Sequence, residues 1–451
     1  MTPAESLPYV RTTIDFFLNG ERVSLDGSQA TRTVLTWLRE ERRLTGTKEG
    51  CAEGDCGACT VVLATRDGDY LPIASCIAFV GSLDGHEIIT VEGLNDHPAQ
   101  RAMVECHGSQ CGFCTPGFVM ALYAHYKRRD CAAADALAGN LCRCTGYAPI
   151  LAAAERMLAI KDGEDEAART ARLEQLPRGS VRAPHFFAPR SVAELTAIDG
   201  ATLLGGGTDV GLLVTKQHRD LENVIYLGQV VELRDIRDSP EALELGGAVT
   251  YTQAQDRLAA LHPDIGELVR RLGGAQIRAS GTIAGNIANG SPIGDSMPVL
   301  LALGSSLELQ RDGRRRRVPL DDFYTGYRKT VLAPGEFIRS IRIPKLAAGE
   351  RFSAYKLSKR FDQDISSVCA AFRDGRETRF AFGGMAATPA RARKAEAAFR
   401  HGVDAACDAL REDFAPLSDH RASAWYRLTA AQGLLRKFAA GVPARGIFDV
   451  A

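Results

Sequence analysis

The chain has 451 residues, with 55 basic and 55 acidic side chains and a hydrophobic content of 45%. This length predicts three or four domains, and the balanced charge gives no basis for binding nucleic acid or an anionic membrane. No apolar stretch approaches the roughly eighteen residues of a membrane span, and no signal peptide is evident at the amino terminus. We therefore expect a cytoplasmic protein, in which cysteines more often bind metals or react than form disulfides.

The first third of the chain predicts two small domains of different type. Residues 11–25 alternate apolar and polar side chains around Asn19-Gly20, which indicates a hairpin. A helix over 33–43 and strands over 60–65, 71–77 and near 87–91 follow, in the order of a β-grasp ferredoxin. Residues 96–160 then predict four helices, with cysteines at helix starts and turns.

The rest of the chain predicts a mixed α/β region. The charged segment 163–182 ends in Pro and Gly and is expected to be an exposed linker. Strands are expected in ATLLGG, NVIYLG and LELGGAVT, separated by helices. From about residue 350, three strands (FSAYKLS, SSVCAAF, TRFAFGGM) precede two helices.

Eight of the twelve cysteines fall into two sets whose spacing indicates metal clusters. The first set reads C-x4-C-x2-C with a fourth cysteine further on, the spacing of a plant-type [2Fe–2S] loop. The second joins a C-x2-C pair to a distant C-x-C pair. The candidate ligands are Cys51, Cys56, Cys59 and Cys76 in the first set, and Cys111, Cys114, Cys142 and Cys144 in the second.

Zinc is the alternative for four cysteines, but its structural sites usually combine two short C-x2-4-C pairs. The first set fits that pattern poorly, whereas the second set taken alone leaves zinc open. Gly50, Gly54 and Gly57 would let the first loop curl around a cluster, because glycine tolerates positive φ angles. Four cysteines without a partner at ligand spacing are expected to be ordinary thiols: Cys106, Cys131, Cys369 and Cys407.

The motifs QCGFCTPG and GNLCRCTGY, downstream of GCAEGDCGACTV, closely resemble the iron–sulfur region of the molybdenum hydroxylase family, which includes xanthine dehydrogenase. The resemblance covers residues 12–160. It implies one [2Fe–2S] cluster in a plant-ferredoxin-like domain and another in a helical domain particular to the family. It also implies that Gln110, the glutamine before the C-x2-C pair, faces the molybdenum cofactor of a neighbouring domain.

Two segments of the second half are candidates for cofactor binding. LLGGGTDV at 203–210 is a strand that ends in three glycines, and such a turn lets backbone N–H groups approach a diphosphate. It lacks the G-x-G-x-x-G order of a Rossmann unit, and a structural turn is the alternative. The stretch 280–300 is rich in Gly, Asn and Ser and is expected to be an extended loop, with Asp295 just before a helix.

Together these segments resemble the FAD-binding module of the same family, of the vanillyl-alcohol-oxidase type. The resemblance implies that the loop Lys359–Asp364 borders the flavin and the nicotinamide entrance. Leu272, Asn289 and Gly294 depart from the family pattern, which affects detailed packing only; for Asp295 a helix N-cap is the alternative. The implied FAD contacts are Leu203, Leu204, Gly205, Gly206, Gly207, Thr208, Asp209, Val210, Gly281, Thr282, Asn286, Asp295, Ile338 and Lys356.

The predicted fold is therefore a multidomain α+β chain. Its parts are a β-grasp [2Fe–2S] ferredoxin domain (1–92), a four-helix [2Fe–2S] domain (93–162), a linker (163–182), an FAD-binding domain (183–347) and a small α+β C-terminal flavoprotein domain with a three-stranded sheet and helices (348–451).

The resemblance implies an electron-transfer subunit of the bacterial xanthine dehydrogenase type, with two [2Fe–2S] clusters, FAD, and NAD as acceptor. Because no molybdopterin domain precedes Ala451, it also implies a large molybdenum-bearing partner subunit, with two copies of each subunit. No residue of this chain is expected to act as a catalytic base on a purine. The alternatives are a family member acting on an aldehyde, nicotinate, carbon monoxide or an aromatic thioester, or a non-catalytic zinc scaffold.

Overall fold

The computed structural model describes residues 10–195 and 198–442, so the outermost ends of the first and last predicted domains lie outside the described residues. The chain divides into two compact units, Met1–Val231 with Gly273–Gly281, and Glu232–Leu272 with Thr282–Ala451. The division runs through the predicted FAD-binding domain, whose two parts are therefore described separately. Within the described residues, no helix has both the length and the apolar character needed to cross a membrane.

The first unit begins with a five-stranded sheet of strand order β3-β2-β6-β4-β5. The hairpin of β2 and β3 is confirmed, with Asn19 and Gly20 at positive φ of 50° and 87°. Phe16 packs edge-to-face on Trp37 in the core beneath the sheet, with ring centroids 5.4 Å apart. The elements here are β1 (Val10–Arg11), β2 (Thr13–Leu18), β3 (Glu21–Asp26), α1 (Val34–Thr36, continued by a π-helical turn at Trp37–Glu41), β4 (Thr60–Ala64), β5 (Tyr70–Ala74) and β6 (Glu87–Ile89).

The four predicted helices of the next domain are all present. Proline in the first turn of α2, α3 and α5 favours helix initiation there, because that position needs no N–H donor. The second of them is buried along most of its length and forms the centre of the helical core. The helices are α2 (Pro98–Glu105), α3 (Thr115–Arg128), α4 (Ala133–Leu137) and α5 (Ala148–Leu158), followed by α6 (Glu166–Glu174).

The segment 163–182, expected to be an exposed linker, contains α6 and is held against the helical domain by ion pairs. The ammonium of Lys127, whose side chain is 6% exposed, lies 2.5 Å from Asp162, 3.1 Å from Glu164 and 2.5 Å from Glu166. The charged composition suggested exposure, but these carboxylates are paired with a buried lysine.

A second sheet in the first unit has the strand order β1-β7-β8-β10-β9. The first strand of the chain pairs in parallel with β7, so that Val10 lies opposite Ser180. This pairing was not predicted, because two residues of β1 carry no recognisable pattern. The additional elements are β7 (Ser180–Ala183), β8 (Phe186–Ala188), β9 (Thr202–Leu204), α7 (Val210–Thr215) and β10 (Val224–Tyr226).

A buried ion network joins the two sheets of the first unit. Asp84, with a fully buried side chain, accepts hydrogen bonds from Arg11 at 2.7 and 3.0 Å and from Arg190 at 2.8 Å. Its Oδ1 also accepts the backbone N–H of Asp15 at 2.9 Å. Burial opposes the charge of Arg11, but the facing carboxylates raise its pKa above the ordinary value.

The second unit contains a five-stranded antiparallel sheet of order β11-β12-β17-β13-β14, with helices on its apolar face. The expectation of an extended loop before Asp295 is wrong, because Ile283–Asn289 is a helix, whereas the helix expected directly after Asp295 is present at Ser296–Ala302. The elements are β11 (Ile236–Asp238), β12 (Ala242–Gly246), α8 (Tyr251–Leu261), α9 (Pro263–Arg270), α10 (Ala275–Ser280, which lies in the first unit), α11 (Ile283–Asn289), α12 (Ser296–Ala302), β13 (Ser306–Arg311), β14 (Arg314–Pro319), β15 (Tyr324–Gly326), β16 (Lys329–Thr330) and β17 (Phe337–Pro344).

The C-terminal part of the second unit has a four-stranded sheet of order β18-β19-β20-β21. Three strands were predicted; the fourth has only two residues and lies at the edge. Phenylalanine rings fill the core between this sheet and the last helices. The elements are β18 (Arg351–Leu357), β19 (Val368–Asp374), β20 (Arg379–Gly383), β21 (Ala390–Arg391), α13 (Arg393–Ala398), α14 (Val403–Asp413) and α15 (Ala424–Ala439), so that three helices follow where two were expected.

Candidate iron–sulfur and FAD sites

The four cysteines of the first set converge. The Sγ atoms of Cys59 and Cys76 are 3.3 Å apart, and both residues are buried. The thiol of Cys51 lies within hydrogen-bonding reach of the thiols of Cys56 and Cys76. Three ligands come from the loop before β4 and the fourth follows β5, so the pairing of these two strands brings the distant cysteine to the loop.

The loop around the first set is shaped by glycines and by backbone N–H groups that point at sulfur. Gly54 and Gly57 have positive φ of 80° and 69°, as expected, but Gly50 acts differently. A Cβ at Gly50 would lie 2.7 Å from the Sγ of Cys56, so glycine is required there for space. The backbone N–H groups of Asp55 and Cys56 donate to the Sγ of Cys51 at 3.2 and 3.3 Å, which is how proteins stabilise cluster thiolates.

The second set also converges, at the helix starts where the sequence places it. The thiol of Cys111 contacts that of Cys144, and the thiol of Cys114 contacts that of Cys142. Burial raises the pKa of Cys114 to about 12. Burial also opposes ionisation of Cys142, but hydrogen bonds from Thr145 lower its pKa to about 7. One member of this set is therefore disposed to be a thiolate.

The contacts of both sets suit a two-iron core. In a [2Fe–2S] cluster each iron takes two thiolates, so the four sulfurs form two pairs. The second set forms two such pairs, Cys111–Cys144 and Cys114–Cys142, whereas the first set is linked in a chain in which Cys51 contacts Cys56 and Cys76, and Cys76 contacts Cys59. A tetrahedral zinc site with Zn–S bonds of 2.3 Å would instead hold all four sulfurs about 3.8 Å from one another. The cysteines present therefore fit two [2Fe–2S] clusters.

The remaining cysteines take no part in either set. Cys369 and Cys407 are buried in the hydrophobic cores of the second unit, and burial raises the pKa of both. Cys106 is partly buried and Cys131 is exposed.

The glycine turn at 203–210 lies in the first unit, beginning in the last two residues of β9 and ending at the first residue of α7. A Cβ at Gly206 would lie 1.5 Å from the carbonyl oxygen of Ser280, so no side chain fits there. Gly207 has a positive φ of 79°, and its carbonyl accepts the N–H of Gly211 at 2.7 Å, which closes the turn. Leu204 and Gly207 are buried, Asp209 is exposed, and the other predicted residues of the turn are partly exposed. Three consecutive glycines put no side chain over this backbone, which suits a diphosphate site.

The predicted contacts in the second unit include a buried ion pair. Lys356 donates to Asp295 Oδ2 at 2.7 Å and to the carbonyl of Arg271 at 2.9 Å. The Ser366 hydroxyl donates to Asp295 Oδ1 at 2.5 Å. Asp295 precedes α12 as expected, but its side chain makes no capping hydrogen bond, so the N-cap alternative does not describe it.

The other predicted contacts of the second unit are held by local hydrogen bonds. Thr282 caps α11 by accepting the N–H of Gly285 at 3.0 Å. The amide oxygen of Asn286 accepts from Ser296 at 2.9 Å and from Tyr251 at 3.1 Å. Ile338 is buried in the hydrophobic core.

The loop Lys359–Asp364 is held by a hydrogen bond between its two ends and by contacts with Arg271. Its ends are joined by the hydrogen bond from the Arg360 N–H to Asp364 Oδ2 at 2.8 Å. Arg271 donates to the carbonyl of Phe361 at 3.2 Å, and its guanidinium lies 4.4 Å from the Phe361 ring centroid.

Two partners of the predicted site residues were not predicted. Ser366 lies 71 residues from Asp295, and Arg271, whose carbonyl accepts from Lys356, lies 85 residues from it. Neither has a local sequence signal, because each reaches the site only through tertiary structure.

Four family models match the chain in succession. Residues 16–81 match a 2Fe-2S iron-sulfur cluster binding domain, and 90–155 match a [2Fe-2S] binding domain. Residues 182–346 match the FAD binding domain in molybdopterin dehydrogenase, and 353–442 match the CO dehydrogenase flavoprotein C-terminal domain.

Two solved structures resemble just over half of the chain. Carbon monoxide dehydrogenase from Hydrogenophaga pseudoflava, lacking the Mo-pyranopterin moiety, has a TM-score of 0.52 at 29% identity, over 56% of this chain and 94% of that one. Reconstituted CO dehydrogenase from Oligotropha carboxidovorans has a TM-score of 0.51 at 28% identity, over 57% and 96%.

Among curated relatives, xanthine dehydrogenase of Emericella nidulans is 34% identical over 85% of this chain and 35% of its own length. Xanthine dehydrogenase/oxidase of Mus musculus is 31% identical over 83% and 34%. The chain thus spans about a third of the length of these relatives. Four consecutive domain matches and two converged cysteine sets agree: this chain belongs to the molybdenum hydroxylase family and is its part that carries two [2Fe–2S] clusters and FAD.

Proposed function

We propose that this chain is the electron-transfer component of a xanthine dehydrogenase, relaying electrons from a molybdenum centre on a partner subunit, through its two clusters and FAD, to NAD. When bound, the clusters supply one-electron carriers and the flavin exchanges one- with two-electron chemistry. The chain itself holds these groups in series. A cytoplasmic location is part of the proposal, because cluster thiolates must stay reduced.

The observation that carries the proposal is a hydrogen bond between the two cysteine sets. The N–H of Leu141, the residue before Cys142, donates to the carbonyl of Cys56 at 3.0 Å. One ligand of each cluster is thereby connected through a few covalent bonds and a single hydrogen bond. Such a bond gives the two sets a fixed separation.

The first set also contacts the glycine turn predicted to hold the FAD diphosphate. A Cβ at Gly207 of the turn would lie 3.3 Å from the carbonyl oxygen of Ile77, the residue after Cys76. Ile77 and two ligands, Cys59 and Cys76, share a small buried cluster into which Leu212 packs. Within the first unit, the order of contact is therefore second cysteine set, first cysteine set, glycine turn.

The second set lies at the surface, where a partner could deliver electrons. Cys111 and Cys144 are exposed, and the surrounding surface includes Val104 at 76% exposure and Phe113 at 47%. An open cavity of about 470 Å³ adjoins this surface, lined in part by Met103 and Val104. Exposed apolar groups of this kind mark interaction sites. We assign this surface to a large molybdenum-bearing subunit, with two copies of each subunit in the assembly.

Xanthine and hypoxanthine, oxidised to urate by the whole complex, are the proposed substrates. The support is the similarity to xanthine dehydrogenases across most of the chain, iron–sulfur and flavin parts together. The carbon monoxide dehydrogenase structures cover 56% and 57% of the chain, and they favour the second candidate, another molybdenum hydroxylase with a different substrate. The same similarity supports NAD as the proposed electron acceptor.

We expect Cys56→Ser to remove one of two [2Fe–2S] signals in the electron paramagnetic resonance (EPR) spectrum of the dithionite-reduced protein. A serine in place of one thiolate leaves an iron of the first cluster without its ligand, so iron should fall from about four to about two per chain. Cys106→Ser, outside both sets, is the control and should keep both signals. Two intact signals in Cys56→Ser would refute the ligand assignment.

The proposed function is tested by the activity of the purified chain with FAD and both clusters present. It should oxidise NADH with an artificial dye as acceptor, and it should not turn over xanthine until the molybdenum subunit is added. Xanthine turnover by the chain alone would overturn the two-subunit proposal. A reconstituted complex that prefers an aldehyde or carbon monoxide would support the second candidate instead.

A further inference from the structure

We propose that Gln276 is a positioning residue that sets the separation of the two iron–sulfur clusters and of the flavin turn. This inference rests on the proposed electron-transfer function. Gln276 lies on α10, a short helix that the sequence assigns to the FAD-binding domain but that belongs to the first unit.

The side chain of Gln276 is 2% exposed and bonds to both cysteine sets through their neighbours. Its Nε2 donates to the hydroxyl of Thr60 at 2.9 Å, and Thr60 directly follows Cys59. The same nitrogen donates to Oδ1 of Asn140 at 2.8 Å, two residues before Cys142. One amide group thus donates to two residues, one within two positions of a ligand of the first set and the other within two positions of a ligand of the second.

The network closes on the first cysteine loop. Asn140 Nδ2 donates to the carbonyl of Gly57 at 3.0 Å, and the Thr60 hydroxyl donates to the same carbonyl at 2.6 Å. Thr60 and Asn140 are 1% and 2% exposed, so the hydrogen bonds are shielded from water. Buried polar networks that are fully paired make a structure rigid, and an unpaired member is costly.

Three glycines let the backbones approach closely enough for this network. A Cβ at Gly139 would lie 1.9 Å from Gln276 Oε1, and one at Gly57 would lie 2.3 Å from the Gly139 carbonyl. A Cβ at Gly117 would lie 2.3 Å from the Gly57 carbonyl. None of these three glycines has room for even a methyl group, so the backbone segments that carry them are in direct contact.

The other end of α10 meets the glycine turn. The carbonyl of Ser280 lies where a Cβ of Gly206 would be, at 1.5 Å. A helix of six residues therefore contacts the turn at one end and, through Gln276, the surroundings of both clusters at the other. Because this helix is rigid, it fixes the distances between the two clusters and the glycine turn.

The test replaces Gln276 by leucine, which has a similar volume and cannot hydrogen-bond. The holoprotein should keep full iron and FAD, while the magnetic interaction between the two reduced clusters in the EPR spectrum changes. The rate at which NADH reduces the clusters, measured by stopped flow, should fall severalfold, because electron transfer slows as the separation between the redox centres grows. Gln276→Glu, which keeps the length but loses the N–H donors, should show the same two changes.

Gln432→Leu is the matched control. Gln432 is also buried and donates to a backbone carbonyl, that of Cys407 at 2.8 Å, but it lies in the C-terminal helices. It should lose similar stability without either redox change. Unchanged EPR interaction and reduction rate in Gln276→Leu would overturn the inference. So would loss of clusters or FAD from both Gln276 variants, which would give the residue a role in folding only. Failure of NADH to reduce the clusters of the unmodified chain would instead refute the proposed function.

Discussion

Gly206→Val should purify with both iron–sulfur clusters and with at least about tenfold less FAD per chain, a loss of about 1.4 kcal/mol or more in binding free energy. A Cβ at this position would already lie 1.5 Å from the Ser280 carbonyl. Valine therefore displaces either the turn or the helix that ends at Ser280. Overpacking of this kind costs about 1–3 kcal/mol, and here it acts on the backbone predicted to hold the diphosphate. The ratio of FAD to iron in the purified protein measures the effect.

The control for this variant is Gly163→Val. A Cβ at Gly163 meets no atom within 4 Å, so the same substitution adds no clash. Its FAD content should equal that of the unmodified chain. Stoichiometric FAD in Gly206→Val would show that the diphosphate is held elsewhere.

Asp84→Leu should lower the free energy of unfolding of the first unit by about 3–5 kcal/mol, because it removes the carboxylate that pairs with Arg190 and one of the two that pair with buried Arg11. Asp84 accepts hydrogen bonds from Arg11, whose side chain is 3% exposed, and from Arg190, whose side chain is 25% exposed. Asp84→Asn keeps the shape of the side chain and part of its hydrogen bonding, so the free energy of unfolding should fall by less. Urea unfolding of the holoprotein, followed through cluster absorbance and circular dichroism, measures the change.

An exposed ion pair provides the comparison. Glu174 pairs with Arg178 on the surface, with side chains 48% and 66% exposed. Glu174→Gln should change stability by no more than about 1 kcal/mol, because water screens the exposed pair. If Asp84→Leu were as mild as Glu174→Gln, the network around Asp84 would have no role in joining the two sheets.

The elements that could be predicted from the sequence are those with local signals. The Asn19-Gly20 hairpin and the helices that begin with proline follow from turn and capping chemistry, which act over a few residues. The cysteine sets are also readable, because ligand spacing reports how a loop wraps a cluster. The resemblance to the molybdenum hydroxylases rested on these motifs and is confirmed by the domain matches.

What could not be predicted depends on contacts between distant residues. The polar stretch before Asp295 suggested a loop, yet α11 forms there because its apolar residues are buried in the core of the second unit and Asn286 accepts a hydrogen bond from the distant Tyr251. The charged segment 163–182 suggested an exposed linker, yet its Glu164 and Glu166 pair with the buried Lys127. In each case the local composition was polar, and the partner that gives the polar groups a structure lies elsewhere in the chain.

The pairing of β1 with β7 has a consequence for synthesis of the chain. Val10 and Ser180 are 170 residues apart, so at a ribosomal rate of 5–20 residues per second the partner strand emerges roughly 10–30 s after the first. The β-grasp sheet can form and accept iron during that interval, whereas the second sheet cannot close until the linker and β7 have left the ribosome. Removing residues 10 and 11 would make β7 the edge strand of that sheet, and its exposed backbone groups could then pair with another nascent chain.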